Sequence, residues 1–220
     1  MSWGEQGRRL DRRFIHEELY RDLGPIRDRK VVICGCGALG GHAAVHLARM
    51  GMRNLVLIDD DEVREHNLGT QPFRLQDVGG KKALILANDL YRLTGTCKAT
   101  PVSRRLTSKN AGKLLKGAAV VLDTFDNHAS RKAVQETCLE LEIPCLHAGM
   151  SGEGTGELHW EPGYVVPPDV ELPDPCAYPL GLALVNLTAA LAAELMVRFL
   201  LSGEKKNYLV LRDRLRIVEK

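Results

Sequence analysis

Short apolar runs alternate with helical stretches along most of this chain. Val31-Val32-Ile33-Cys34-Gly35 is one run, Asn54 to Asp59 a second, Ala119 to Asp123 a third and Pro144 to Gly149 a fourth. Apolar positions in unbroken succession suit strands buried on both faces. Between the runs the apolar period lengthens. Leu39 to Met50 predicts a helix, and Lys81 to Leu93 sets Ala83, Leu84, Ala87, Leu90 and Tyr91 at helical spacing. Ala129 to Leu141 predicts another. Lys98 to Ser103 adds a weaker strand, and Ser108 to Leu115 a short helix capped by Ser108 or Thr107. This grammar predicts an α/β fold with a mostly parallel sheet and helices on both faces.

After Met150 the pattern changes. Glu157 to Trp160 reads as a strand, and residues 161–179 hold six prolines and little periodicity. A long unstructured crossover of this kind within a compact domain points to function. Leu180 to Leu201 is long and mostly apolar, but it carries Asn186, Thr188, Glu194 and Arg198. A spanning helix wants roughly 20 apolar residues with few or no charges. The segment therefore predicts a core helix, with Pro179 in its first turn and Gly203 just past its end. Tyr208 to Val218 suggests one or two closing strands, antiparallel to the sheet. The whole of 1–220 reads as one domain, with residues 1–28 as a helical arm and 161–179 as the crossover loop.

Composition adds little that is specific. Apolar content of 45%, charged content of 26% and a formal net charge of +2 fit an ordinary globular chain. They give no reason to expect nucleic acid or a membrane as partner. Six scattered cysteines and a polar start to the chain predict free thiols in a cytoplasmic setting.

The chemistry begins at the first run. Gly35-Cys36-Gly37-Ala38-Leu39-Gly40 is a glycine turn that opens a helix, and Asp59 ends the next strand 19 positions after Gly40. Gly35 and Gly37 allow a close backbone approach to phosphate, which the helix N-terminus attracts. Asp59 stands at about the spacing that reaches a nucleotide's ribose. This Rossmann-like pair predicts an adenine nucleotide and leaves ATP and NAD both open.

Downstream motifs separate the two. Asp59-Asp60-Asp61-Glu62-Val63 precedes Asn67-Leu68-Gly69-Thr70-Gln71. Val78-Gly79-Gly80-Lys81-Lys82 and Asp123-Thr124-Phe125-Asp126-Asn127 follow. In order and spacing this set resembles the ubiquitin-activating-enzyme-like adenylyltransferases, the MoeB and ThiF group, from about Arg12 to Met150 and more loosely beyond. The resemblance implies ATP-dependent, pyrophosphate-releasing adenylation of the C-terminal carboxylate of a small ubiquitin-fold or sulfur-carrier protein. It implies a Rossmann-like sheet and a homodimer. By residue, it implies Gly35, Gly37, Gly40, Asp59, Asp61, Asn67, Gln71, Lys82, Asp123 and Asn127 around the nucleotide. Lys82 would meet the phosphates and Asp126 would hold Mg2+. Two anions must approach each other in this reaction, so cations must offset their repulsion.

The chain departs from the family pattern at two arginines. Thr70 stands in the Asn-Leu-x-Arg-Gln motif, and His16 at the N-terminal position whose arginine serves the partner subunit. Arg13 keeps the first arginine of that stretch and is the catalytic candidate there; Arg12 and Arg74 are other possible substitutes. These departures leave a second reading open: a non-catalytic or partner-dependent nucleotide-binding subunit. An NAD-dependent oxidoreductase is the third. Many relatives carry two C-x-x-C pairs; this chain has none, so no structural zinc is expected. His42 and His46, four apart on a helix, read as packing or surface residues. Cys145 reads as a buried strand thiol. Cys176, in the crossover loop, is the candidate for a reactive cysteine.

Overall fold

The structure, a computed structural model, describes residues 11–169 and 178–220. Its centre is one sheet of eight strands in the order β3-β2-β1-β4-β5-β6-β7-β8. The strands are β1 (Val31–Cys34), β2 (Leu55–Ile58), β3 (Thr100–Val102), β4 (Val120–Asp123), β5 (Cys145–Ser151), β6 (Thr155–Trp160), β7 (Tyr208–Leu211) and β8 (Arg216–Glu219). The first five run parallel, and β6, β7 and β8 close the sheet antiparallel. This is the Rossmann-like fold expected, with antiparallel closure.

Both faces of the central strands are buried, because helices cover each. Val31, Ile33, Val120, Leu122, Leu146 and Ala148 face α2 (Ala38–Arg49), α3 (Lys82–Thr94) and α6 (Leu182–Ser202). Val32, Cys34, Val121 and Cys145 face α4 (Ala111–Leu115) and α5 (His128–Glu140). Neighbouring parallel strands need crossovers of this kind, so the two periodicities in the sequence become two layers of helix. α1 (Ile15–Tyr20) belongs to the arm, which α6 holds through an Arg21 to Glu194 ion pair of 2.7 Å.

α6 is long and apolar enough to cross a membrane by length and composition, and half of its most apolar 18-residue stretch lies buried here. It packs on α2 and the sheet. Two boundary expectations shift. Pro179 lies outside α6, whose N-cap is Gly181; Gly203 ends the helix in the left-handed region, as expected. The regular turns of α4 begin after Asn110, which makes no side-chain cap bond; Asn110 Oδ1 instead accepts from Thr107 N while Ala111 N donates to Thr107 O, so Thr107 still opens the first turn.

Candidate nucleotide site

The register puts Ile58, Cys34, Asp123 and His147 in one row across the carboxyl edge of the parallel strands. Open α/β sheets bind ligands outside this edge. Gly35 turns there with φ +93°. Its N–H donates to Ile58 O at 2.8 Å, and the Thr124 hydroxyl donates toward Cys34 O and Gly35 O at 2.9 and 3.1 Å. The turn is packed tightly from behind. A Cβ on Gly35 would stand 2.7 Å from Thr124 Oγ1, one on Gly40 1.9 Å from Gly35 O, and one on Gly41 2.9 Å from Pro72 Cδ. Gly37 is different: a Cβ there would meet Gln71 Nε2 at 3.8 Å, an ordinary van der Waals contact.

α2 starts from Gly37 with no side-chain cap. The first N–H groups of a helix have no partner within it, and they carry the positive end of its dipole. Beside them Gln71 holds its Oε1 buried and without a partner. Asn67 brings Gln71 there: its side chain accepts from Arg64 N and its carbonyl from Gln71 N, which closes the turn. Orphan donors at the start of α2, with the Gln71 Nε2 amide nitrogen facing Gly37, fit a phosphate group.

Asp59 supports this corner from beneath. One carboxylate oxygen accepts from Cys36 N at 2.6 Å and the other from Asp61 N at 2.8 Å. Burial pushes its carboxyl above the usual range, and the Cys36 N–H and the Lys82 charge oppose the rise. Both oxygens are engaged, so the residue expected at the ribose also splices the glycine turn to β2. Lys82 opens α3 almost completely buried, its ammonium 3.0 Å from Asp61 Oδ2. Asp61 is largely exposed, so this charge pair faces the mouth. Asp59, Asp60 and Asp61 also bring one oxygen each within 4.8 Å of one another. Nothing equivalent among the described residues adds a third ligand to His42 and His46; His42 instead meets Thr70 O at 3.2 Å.

The third motif divides. Asp126 is exposed, with the Asn127 amide 3.4 Å from one oxygen, and so keeps free carboxylate for a hard cation. Asn127 caps α5 by accepting from Ser130 N at 2.9 Å. Asp123, expected around the nucleotide, is fully buried and spent on protein partners. One oxygen accepts from Phe125 N; the other lies 2.8 Å from His147 Nδ1 and 3.7 Å from Arg131 Nη1. It is a support for the site's floor.

Arg13, the catalytic candidate of the N-terminal stretch, is engaged within its own subunit. Asp11 holds its guanidinium at 2.7 Å, and Arg13 donates to Thr94 O at the far end of α3. Twelve helical steps from Lys82 to Thr94 make about 18 Å. Arg13 is therefore remote from the glycine turn of its own chain. Arg74 is paired with Asp89, and Arg12 and His16 are exposed. Cys145 is buried, as expected, and burial raises its thiol well above the ordinary value, as it does for Cys34 and Cys36. Cys176 lies outside the described residues.

Sequence reasoning passed over Thr124, Gly41, Arg131 and His147. Gly41 was signalled by a glycine pair inside an apolar helix, and His147 by a polar residue within an apolar strand run.

A glycine turn on the carboxyl edge of a doubly covered, mostly parallel sheet defines the class: a Rossmann-like α/β domain. The ThiF family model matches residues 8–158, and the chain belongs to that family. Among its relatives, the sulfur carrier protein ThiS adenylyltransferase of Escherichia coli is 36% identical over 142 residues, 62% of this chain and 56% of the relative. The SAMP-activating enzyme E1 of Haloferax volcanii is 32% identical over 64% of this chain and 53% of the relative. The chain thus spans about half the length of these relatives. Escherichia coli MccB solved with ATP superposes with a TM-score of 0.74 at 21% identity, over 89% of this chain and 64% of MccB, which supports the fold alone. The threonylcarbamoyladenosine dehydratase TcdA of Escherichia coli aligns with a TM-score of 0.61 at 27% identity, over 64% of this chain and 61% of TcdA.

Proposed function

We propose that the chain activates the C-terminal carboxylate of a small sulfur-carrier or ubiquitin-fold protein by ATP-dependent adenylation. The observation that carries this reading is the uncapped start of α2 at Gly37, with the buried Lys82 acting on neighbouring Cys36 and Asp59. The triphosphate would lie on those N–H groups. Gln71 would meet it at Gly37, and Lys82 would leave Asp61 to neutralise phosphate charge. A carrier carboxylate oxygen would attack the α-phosphorus. The bond to the bridging oxygen would break, releasing pyrophosphate and leaving an acyl-adenylate. Asp126 would hold Mg2+, which offsets phosphate charge when bound. Asp59 keeps the turn in register throughout, because its oxygens tie β2 to Cys36. The names of the relatives, ThiS and SAMP among them, support a small carrier as substrate.

The decisive measurement is pyrophosphate exchange with a panel of purified carrier proteins. Exchange that needs both ATP and one carrier is expected. ATP binding without exchange for any carrier would favour a second reading, a partner-dependent nucleotide-binding subunit. That reading has its own support: Thr70 and His16 in place of arginines, and Arg13 bound to Asp11 and Thr94. A homodimer in which Arg13 serves the other subunit would reconcile the two.

A further inference from the structure

α2 carries two half-buried histidines that the proposed chemistry does not use, and one of them reaches the turn beside the glycine loop. His42 meets Thr70 O at 3.2 Å through Nε2. Burial pushes its imidazole below the ordinary value, against a smaller opposing effect of the Thr70 carbonyl. His46, one turn further along α2, is lowered in the same way, with His42 and Arg49 as the charges beside it. Imidazoles lowered in this way are neutral at neutral pH. A neutral ring can bond a carbonyl only by donating, so the proton of His42 sits on Nε2.

Three successive residues of that turn lie along the start of α2. A Cβ on Gly37 would meet Gln71 Nε2, and one on Gly41 would meet Pro72. Thr70 is held by His42, the next residue of the helix. Within the turn, the Asn67 carbonyl accepts from Thr70 N at 3.2 Å and from Gln71 N at 2.9 Å, and the Gln71 carbonyl accepts from Phe73 N at 2.8 Å. Both partners of each bond belong to the turn, so these bonds fix its shape and not its place on the helix. Phe73, in the core, anchors the far end. At the near end the Pro72 ring rests on Gly41, and such a contact has no preferred direction. A hydrogen bond fixes distance and direction together. His42 supplies that bond.

We propose that His42 is a positioning residue of the nucleotide site: its Nε2–H, fixed on Thr70 O, sets the turn against α2 so that the Gln71 amide stands at Gly37. This rests on the nucleotide site proposed above. A helical side chain leans over the turn N-terminal to its own position, which carries the imidazole back along α2 toward its start. His42 acts through Gln71 and not on the phosphate itself. Thr70 has no cation to offer the nucleotide, so what this turn contributes to binding rests on where Gln71 is held.

The test is a double-mutant cycle on the full chain, read first without nucleotide and then with ATP and Mg2+. Without nucleotide, nitrogen NMR of the imidazoles at neutral pH should find the His42 proton on Nε2. In His42→Leu the Thr70 and Gln71 amides should exchange with solvent about tenfold faster, as befits a turn that has lost a fixed contact. Glutamine can donate from nearly the same place, so His42→Gln should restore most of the protection. A proton on Nδ1, or native exchange rates in His42→Leu, would overturn the proposal. With ATP and Mg2+, calorimetric titration should show about tenfold weaker binding for Gln71→Ala and about fivefold for His42→Leu, with His42→Gln close to the native chain. The double variant should bind no more weakly than Gln71→Ala, because His42 has nothing left to position. Losses that multiply to about fiftyfold would overturn the proposal, since His42 would then act by a route of its own. A native chain that binds no ATP, or a Gln71→Ala chain that binds it normally, would instead overturn the nucleotide site, and the nucleotide-free arm would still decide whether His42 holds the turn. Should His42→Leu fail to fold, His42→Ala and the imidazole spectrum give the same readings.

Discussion

The two halves of the sheet's carboxyl edge are built from different materials. Beside β1 and β2 the site is backbone: a glycine turn, the free N–H groups of α2, and one carboxylate holding two more N–H groups. Beside β4 and β5 it is side chain: an imidazole between carboxylates, a guanidinium and a stacked phenol. The first half leaves its donors unspent and tolerates no added atom behind them. The second has spent its polar groups on one another, His147 Nε2 excepted, and tolerates no missing partner. An unspent cradle suits a ligand that comes and goes; an interlocked network suits a fixed joint.

The largest effect should come from breaking the joint. Asp123→Ala leaves His147 and Arg131 buried with their shared carboxylate gone. Removing one partner of a buried ionic group costs about 3–5 kcal/mol. Urea unfolding of this variant should show a loss of that order, against a smaller one for Asp123→Asn. A loss under about 1 kcal/mol would mean that the cluster is wetter and looser than its geometry indicates.

Next come the glycines, where added atoms are the test. Gly40→Ala would push a Cβ to 1.9 Å from a backbone carbonyl, and overpacking of this kind costs about 1–3 kcal/mol or more. Gly37→Ala meets nothing nearer than 3.8 Å. Its stability should stay within about 0.5 kcal/mol of the parent, as for a substitution away from close contacts. Its affinity for ATP should still fall by about tenfold or more, since the methyl group occupies the phosphate's place on the uncapped helix. A Gly37→Ala chain that binds ATP normally would move the nucleotide elsewhere.

How much of this was legible beforehand follows the same division. The strands and helices, their alternation and the antiparallel closure were readable because periodicity reports burial directly. The backbone half of the site was readable too: Gly35, Gly37, Gly40 and Asp59 are close in sequence and obey a fixed spacing. The side-chain half was not. His147 and Tyr164 are 17 residues apart, and a strand pairing and a crossover bring them together. Asp123 was assigned to the nucleotide because its motif was read as a unit; the strand's alternation turns it toward α5 instead, while Asp126 emerges on the loop beyond.

Lys82 is the sharpest single point in the backbone half. Its partner Asp61 is exposed, but Lys82 itself is buried and its charge also supports buried Asp59. Lys82→Met should therefore lower stability by about 1–3 kcal/mol, as for a buried polar group that loses its partner. Carrier-dependent pyrophosphate exchange should fall about a hundredfold, which corresponds to roughly 2.7 kcal/mol of transition-state stabilisation. Loss of stability without loss of exchange would reverse the assignment and make Lys82 a structural residue.

The smallest effect on the free chain should come from Arg13→Ala. Arg13 holds the Asp11 carboxyl down to about 2, below its ordinary 3.8, chiefly through their side-chain hydrogen bonds. A carboxyl lowered on folding stabilises above the unfolded value and loses that contribution as pH falls from about 3.8 through about 2. In Arg13→Ala, NMR titration should return Asp11 toward its ordinary value, and the acid limb of the stability curve should flatten slightly. ATP affinity should not change, since the residue sits about 18 Å of helix away from Lys82. Exchange is the informative readout. If Arg13 serves the other subunit of a dimer, the single variant should lose exchange. Mixing it with Lys82→Met should restore part, because one site in the mixed dimer then has both its own lysine and its neighbour's arginine. If Arg13 only fastens Asp11 and α3, the single variant should exchange at the parent rate and mixing should add nothing.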